Sequence, residues 1–402
     1  MNILFLTIGR FENINQHGIY PDLLRACANS GHNIYIVSPR EKRLNLPTKL
    51  VKEDKCLHLF VKIGNITKTN IVEKGISTML IETKYKSAIK KYFSNVKFDL
   101  VLYSTPPITF VNAVKYVKKR DNAKTYLLLK DIFPQNAVDL KILSKKGIKG
   151  FIYKYFRNKE KKLYKISDLI GTMSEANSKY LLTHNTYINK SCVHVSPNSI
   201  DIIKKPISEK EKTNLKIKYN LPTDKTIFIY GGNLGKPQNI PFVIKCLKAN
   251  ENKSDRFFVI CGTGTEYNAL DAYIKTNKPK NVLLINGLPK SEYEDFVSAC
   301  DVGLIFLDHN FTIPNFPSRL LSYMQSSMPV IACTDTSTDI GKVITNWDFG
   351  WWCESNNVDN FTNAVEKALN CNLTLKGKNA YSCLNECYSA QNGCTIIMNA
   401  LN

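Results

Sequence analysis

Short apolar runs that stop at glycine, proline or serine alternate with amphipathic stretches along the chain, and near residue 225 the alternation starts again. Buried parallel strands need a connection that returns to the same end of the sheet. A helix supplies it, so this alternation is the βαβ pattern of a doubly wound sheet. In the first pass, residues 3–7, 34–37, 99–103, 125–129, 169–172 and 193–195 read as strands. Helices are expected at 21–30, 109–119, 150–164 and 175–182. Residues 199–224, with Pro206 and Pro222, read as a connection carrying a short helix. In the second pass, strands are expected at 226–230, 257–260, 282–285, 302–306 and 330–332. Helices fall at 240–247, after Gly264, at 291–299 and at 317–325.

At 402 residues the chain exceeds one ordinary core, so each pass is expected to be a domain. The expectation is α/β architecture with two tandem Rossmann-like domains: 1–200, 201–380, and a helix within 381–402 that packs back on the first. No apolar run reaches the roughly 18–20 residues that span a bilayer. Residues 1–8 have no basic stretch ahead of them and read as a buried strand rather than an export signal. The twelve cysteines lie mostly singly in apolar segments, as buried free thiols do. One cluster, Cys371, Cys383, Cys387 and Cys394, has no CxxC pair and no nearby His, so no metal site is expected. A reduced, cytoplasmic protein follows.

The charge is unevenly placed. Residues 1–200 hold 34 Lys and Arg against 14 Asp and Glu, whereas 201–402 hold 21 against 20. A biased genome would enrich lysine in both halves, so the first half is expected to meet a polyanion. Residues 141–165 carry ten Lys and Arg against Glu160 alone, interleaved with Phe151, Ile152, Tyr153, Tyr155, Phe156 and Tyr164. On a helix, Ile148, Ile152, Tyr155, Phe156 and Leu163 share a face, which is expected to pack on its own domain. The lysines around it suit an anionic leaflet, and no nucleic-acid motif accompanies them.

Glycines cluster at strand ends of the second half: Gly231-Gly232, Gly262-x-Gly264 and Gly287. Ligands of α/β sheets bind at carboxyl ends of strands, although a tight strand-to-helix turn also uses glycine. Neither GxGxxG with its acidic ribose partner nor GxxxxGK[ST] is present, which argues against NAD enzymes and P-loop ATPases. Residues 313–324 read as a loop entering a helix with Pro317 at its first position. Free backbone amides there, with the Ser318 hydroxyl and the Arg319 guanidinium, would converge on a phosphate.

Several segments, in order, resemble the retaining GT-B glycosyltransferases of family four, in the subgroup that builds capsule, O-antigen and exopolysaccharide. They are 24–39 (LRACANSGHNIYIVSP), 127–135 (LLLKDIFPQ), 158–181, 195–201 (VSPNSID), 229–240 (IYGGNLGKPQNI), 259–266 (VICGTGTE), 282–307 and 316–332 (FPSRLLSYMQSSMPVIA). The chain departs from the family at its paired glutamates, where Pro314 and Ser322 stand. It departs also at the first glycine loop, where Asn233 and Gln238 replace Arg and Lys and leave Lys236 as the nearby cation.

The resemblance implies two domains facing across a cleft and transfer of a hexose or N-acetylated amino sugar from a UDP-sugar, without a metal or other cofactor. It puts the donor nucleotide by Gly232, Asn233, Gln238, Gly262, Gly264, Gly287 and Leu288. Ser318, Leu320 and Ser322 belong to the same donor site, and the diphosphate would lie on the Pro317-Ser318-Arg319 helix start with Lys236 and Asn233. The acceptor, a polyprenyl-diphosphate-linked saccharide, would sit by Gln16, His17, Gly18, Thr105 and Pro106, with Asp131 orienting or deprotonating its hydroxyl. The enzyme would then be cytoplasmic and peripheral on the inner face of the membrane, with no nucleic acid partner. A nucleotide-sugar epimerase of the same fold and a non-catalytic binding subunit remain alternative readings.

Overall fold

The computed structural model describes residues 1–203 and 207–402; Pro206, read as part of the connection, lies outside them. The chain divides into two compact units, Met1–Asp201 with Ser389–Asn402, and Ile202–Tyr388.

The first unit holds eight strands: β1 (Asn2–Leu6), β2 (Asn33–Glu41), β3 (Lys49–Lys52), β4 (Cys56–Ile63), β5 (Leu100–Ser104), β6 (Lys124–Leu129), β7 (Leu169–Thr172) and β8 (Val193–Val195). They form one sheet in the order β3-β4-β2-β1-β5-β6-β7-β8, parallel throughout except for the β3 edge. Its helices are α1 (Ile19–Asn29), α2 (Ile71–Tyr92), α3 (Val111–Asp121), α4 (Gln135–Asp139), α5 (Gly147–Ile166) and α6 (Glu175–His184). Strands of a sheet covered on both faces are apolar on both, and β5 is buried at all five residues. One face packs under α2, α3 and α5 through Tyr85, Ile89, Val114, Val117 and Leu163. The other packs under α1.

Residues 40–98 hold three elements beyond the sequence reading: β3, β4 and the 22-residue α2, which Asn70 caps by accepting from the Glu73 amide. The apolar face of α5 departs from expectation. Its second half does pack, through Phe156 and Leu163. Its first half does not: Ile148 is 83% exposed, Phe151 75% and Ile152 44%. Gly150, the one buried residue of that half, sits against the Lys145 carbonyl instead of the sheet.

The second unit comprises α7 (Glu209–Lys218), β9 (Thr226–Asn233), α8 (Ile240–Ala249), β10 (Arg256–Thr263), α9 (Tyr267–Asn277), β11 (Val282–Ile285), α10 (Lys290–Ser298), β12 (Val302–Phe306), α11 (Arg319–Gln325), β13 (Val330–Thr334), α12 (Ile340–Asn346), β14 (Gly350–Glu354), α13 (Val358–Leu369) and α14 (Leu373–Cys387). Its parallel sheet runs β11-β10-β9-β12-β13-β14. Sheet order reverses at β9, which follows α7 and is flanked by β10 and β12; this is where open α/β sheets bind ligands.

The last helix, α15 (Ala390–Leu401), lies with the first unit, where Ala390, Cys394 and Ile397 join the core beneath α1. The passage back falls at Ser389 rather than 381, so the cysteine cluster is split. Cys383 and Cys387 ride on α14, while Cys394 lies beside Cys27 of α1, both as free thiols. Among the described residues no helix is long and apolar enough to cross a membrane, and no group of His, Cys, Asp and Glu could hold a metal ion.

Candidate functional site

In the second unit the predicted donor residues gather where β9 and β10 end. Gly232 has φ +124°, a backbone open to glycine, and a Cβ there would stand 3.4 Å from the Arg319 guanidinium. That guanidinium lies over the Tyr230 ring, 4.2 Å from its centroid. Its Nη1 is buried and has no hydrogen-bond acceptor, and the side chains that interact with it are tyrosines 230, 323 and 293 rather than carboxylates. A half-buried cation with one buried nitrogen unpartnered and phenols around it is an incomplete arrangement, and an anion completes it.

The helix start does not supply the rest as expected. Helix α11 begins at Arg319, two residues after Pro317, with exposed Ser318 at its N-cap making no side-chain cap bond. The Leu320 and Leu321 amides donate to the Pro317 and Ser318 carbonyls, at 3.2 and 3.1 Å, and so are not free for a phosphate. The Leu320 side chain is fully buried in the core, and Ser322 is half-buried. What α11 positions is the arginine itself. One turn on, the Tyr323 hydroxyl accepts from the Gly231 amide at 3.0 Å and faces the Ile229 and Leu304 carbonyls, tying the helix to β9 and β12.

Gln238 shapes the loop: its amide oxygen accepts from Asn233 Nδ2 at 3.0 Å and from the Gly235 amide at 3.1 Å. Asn233 and Lys236 remain exposed on that loop. Gly262 and Gly264 face backbone, since a Cβ at either would overlap the Gly232 or Leu234 carbonyl. They therefore allow two strand-end loops to touch. Gly287 has φ +69° beside Thr263, and Leu288 is half-buried next to it. Tyr230, Tyr293 and Tyr323 lie outside the residues that sequence reasoning selects. Tyr230 directly precedes the Gly231-Gly232 pair, the position from which a strand's last ring would underlie a strand-end ligand.

In the first unit the predicted acceptor residues meet in part. Thr105, buried after β5, donates its hydroxyl to the Asp131 carbonyl at 3.1 Å and accepts from the Lys130 and Asp131 amides at 3.0 and 3.2 Å. This joins the ends of β5 and β6. Burial pushes the Asp131 carboxyl up to about 6 and pulls the Lys130 ammonium down to about 7, and Lys130 donates to the Ser196 carbonyl at 3.2 Å. The half-buried Tyr20 lies beside Ser104 and Asp131, which brings α1 to the same strand ends. Pro106 is exposed there. The Gly18 amide donates to Asp22 at 3.1 Å, His17 stands 3.7 Å from the same carboxylate, and Gln16 accepts from the Glu12 amide. A carboxyl titrating near 6 at the end of a buried strand is poised to take or hold a proton.

Residues 211–382 match the family described as glycosyl transferases group 1. Over 333 residues, 82% of this chain and 80% of the other, the sequence is 23% identical to the "Probable glycosyltransferase WbjE" of Pseudomonas aeruginosa. Among solved structures, sucrose-phosphate synthase from Thermosynechococcus elongatus is similar over 100% of this chain and 98% of its own, with TM-score 0.75 and 13% identity. HepE from Anabaena in complex with UDP and glucose is similar over 100% and 99%, with TM-score 0.69 and 12% identity. These likenesses establish the GT-B fold, two Rossmann-like domains each built on a parallel sheet.

Proposed function

We propose that this chain, a protein of GT-B fold whose residues 211–382 match glycosyl transferases group 1, moves a sugar from a UDP-sugar to a lipid-linked saccharide with retained anomeric configuration. The observation that carries the reading is Arg319, a guanidinium with a buried, unpartnered Nη1 and only phenols around it, held at the carboxyl ends of β9 and β12. The similar HepE structure holds UDP and glucose, which supports a uridine nucleotide here.

In the reaction the acceptor hydroxyl attacks the anomeric carbon, the carbon–oxygen bond to the diphosphate breaks, and UDP leaves with that electron pair. Arg319, with Lys236 and Asn233 on the facing loop, neutralises the charge that builds on the leaving oxygens. Fixed cations and dipoles do this without reorganising. The hydroxyl proton passes to a leaving phosphate oxygen or to Asp131, whose carboxylate is the base form above pH about 6. The product belongs to surface-polysaccharide assembly, as the sequence resemblance implies. The sugar is a hexose or its N-acetylated amino form, and the basic first unit works against the inner leaflet of the cell membrane.

Calorimetry with UDP and transfer assays across a panel of UDP-sugars test this. Arg319→Ala should weaken UDP binding and cut transfer by roughly 10²-fold or more, and Arg319→Lys should recover only part, since an ammonium cannot grip two phosphate oxygens side by side. Undiminished UDP binding by Arg319→Ala would remove the assignment. Conversion of UDP-N-acetylglucosamine to an epimer with no acceptor present would identify an epimerase instead.

A further inference from the structure

The first half of α5 carries Ile148 and Phe151, 83% and 75% exposed, with Ile152 and Tyr155 beside them, and Ile142 is exposed just before the helix. Helix α2 presents Ile76, 57% exposed, together with exposed Met79 and Leu80. The two helices are tied by Glu82, which meets Lys159 at 3.1 Å and accepts from the Asn112 amide at the start of α3. In a parallel sheet each of these helices starts at the carboxyl ends of the strands. The apolar residues lie in their early turns, so both clusters belong to the rim that holds Thr105 and Asp131.

The link to that site is direct. Phe133, two residues beyond Asp131, packs edge-to-face on Phe156 of α5 at 5.1 Å, and Tyr155 packs on Phe156 at 5.3 Å. From Phe156 to Ile148 the helix advances about 12 Å, at roughly 1.5 Å per residue.

The charges around the patch are predominantly positive, although Asp139, which accepts from Gln135 at 2.7 Å, lies near Tyr153 of α5. Lys141, Lys145, Lys146, Lys149 and Lys154 flank it, the last four on or at the start of α5, whereas Glu160 is buried and holds Arg157 and Tyr164. Glu82 and Glu73 on α2 are each occupied, by Lys159 and by Asn65 and Thr69. Exposed large apolar side chains ringed by lysines match the acyl–headgroup boundary of an anionic leaflet, which offers both surfaces they lack.

We propose that the first turns of α5 and α2 insert their apolar side chains into an anionic bilayer, next to the acceptor strand ends. The lipid of the acceptor then stays in the leaflet while its sugar reaches Asp131. This rests on the lipid-linked acceptor reading.

The test is co-sedimentation of the full chain with phosphatidylglycerol-containing vesicles and with phosphatidylcholine vesicles, across a salt series. Binding should need the anionic lipid and weaken with salt. Ile148→Ser with Phe151→Ser should lose roughly tenfold or more in vesicle affinity, and Lys145→Gln with Lys149→Gln should flatten the salt dependence. Both pairs lie on the surface, so the fold survives. The tryptophan emission added by Phe151→Trp should shift to the blue on vesicles. Vesicle binding unchanged by the serine pair, or emission of the Phe151→Trp variant indifferent to vesicles, overturns the proposal. So does a dimer that the serine pair dissociates with no vesicle binding by the parent chain. The serine pair should still transfer sugar to a water-soluble acceptor. Absence of transfer to any acceptor, with vesicle binding intact, would sink the functional reading and leave the surface standing.

Discussion

Asp131 is paid for by the fold around it. Burial lifts its carboxyl to about 6, above the range of an exposed aspartate, so the neutral form is the one the folded chain favours. Stability from this group is complete below the ordinary aspartate range and is lost as pH rises to about 6. Above that, the folded protein carries a desolvated carboxylate. Asp131→Asn should therefore gain on the order of 1–3 kcal/mol of stability at pH 8 but little at pH 4, while transfer falls roughly 10²–10⁴-fold. Urea unfolding at both pH values checks the first part, and an equal gain at both contradicts it. Wild-type transfer should rise with pH through about 6 as the carboxylate forms. At this scale the sequence is informative about chemistry and poor about partners. Arg319 stands out as a basic residue at the start of a helix, and Asp131 as an acidic residue at the end of a strand. Tyr230 under the guanidinium, and Tyr20 beside Asp131, depend on contacts between distant segments that no local spacing encodes.

Elements are legible where burial is one-sided or complete. Apolar runs such as β1, β5 and β12 stop at turn residues and show themselves. Helix α2 does not, because Ile76, Met79 and Leu80 point outward and blur the stripe that a packed helix displays. Helix α11 starts two residues later than its sequence suggests, since Pro317 favours a helix start but here precedes it. What fixes α11 is packing. The Tyr323 ring lies against Gly303 of β12, where a Cβ would overlap it. Gly303→Ala should cost roughly 1–3 kcal/mol and, by displacing α11, weaken UDP binding through Arg319 without touching the nucleotide. Calorimetry beside thermal unfolding measures both. A destabilised variant with unaltered UDP affinity would show that the arginine is positioned by something else.

For the molecule as a whole, the double βαβ rhythm foretells two sheets, while the segregation of charge foretells which unit carries the basic surface. The return of the chain end is harder to place, because residues 389–402 are uncharged in their side chains and lack a strand boundary to mark them. Ile397, fully buried beneath α1, carries much of the attachment. Ile397→Ala should cost roughly 2–5 kcal/mol, seen as a lower urea midpoint for the first unit, and an unmoved midpoint would contradict that role. The route of the chain has a consequence for biosynthesis. Every residue of the second unit emerges from the ribosome before α15 does, so the unit begun earliest is completed last, and until then the sheet face and the flank of α1 that α15 covers stay open.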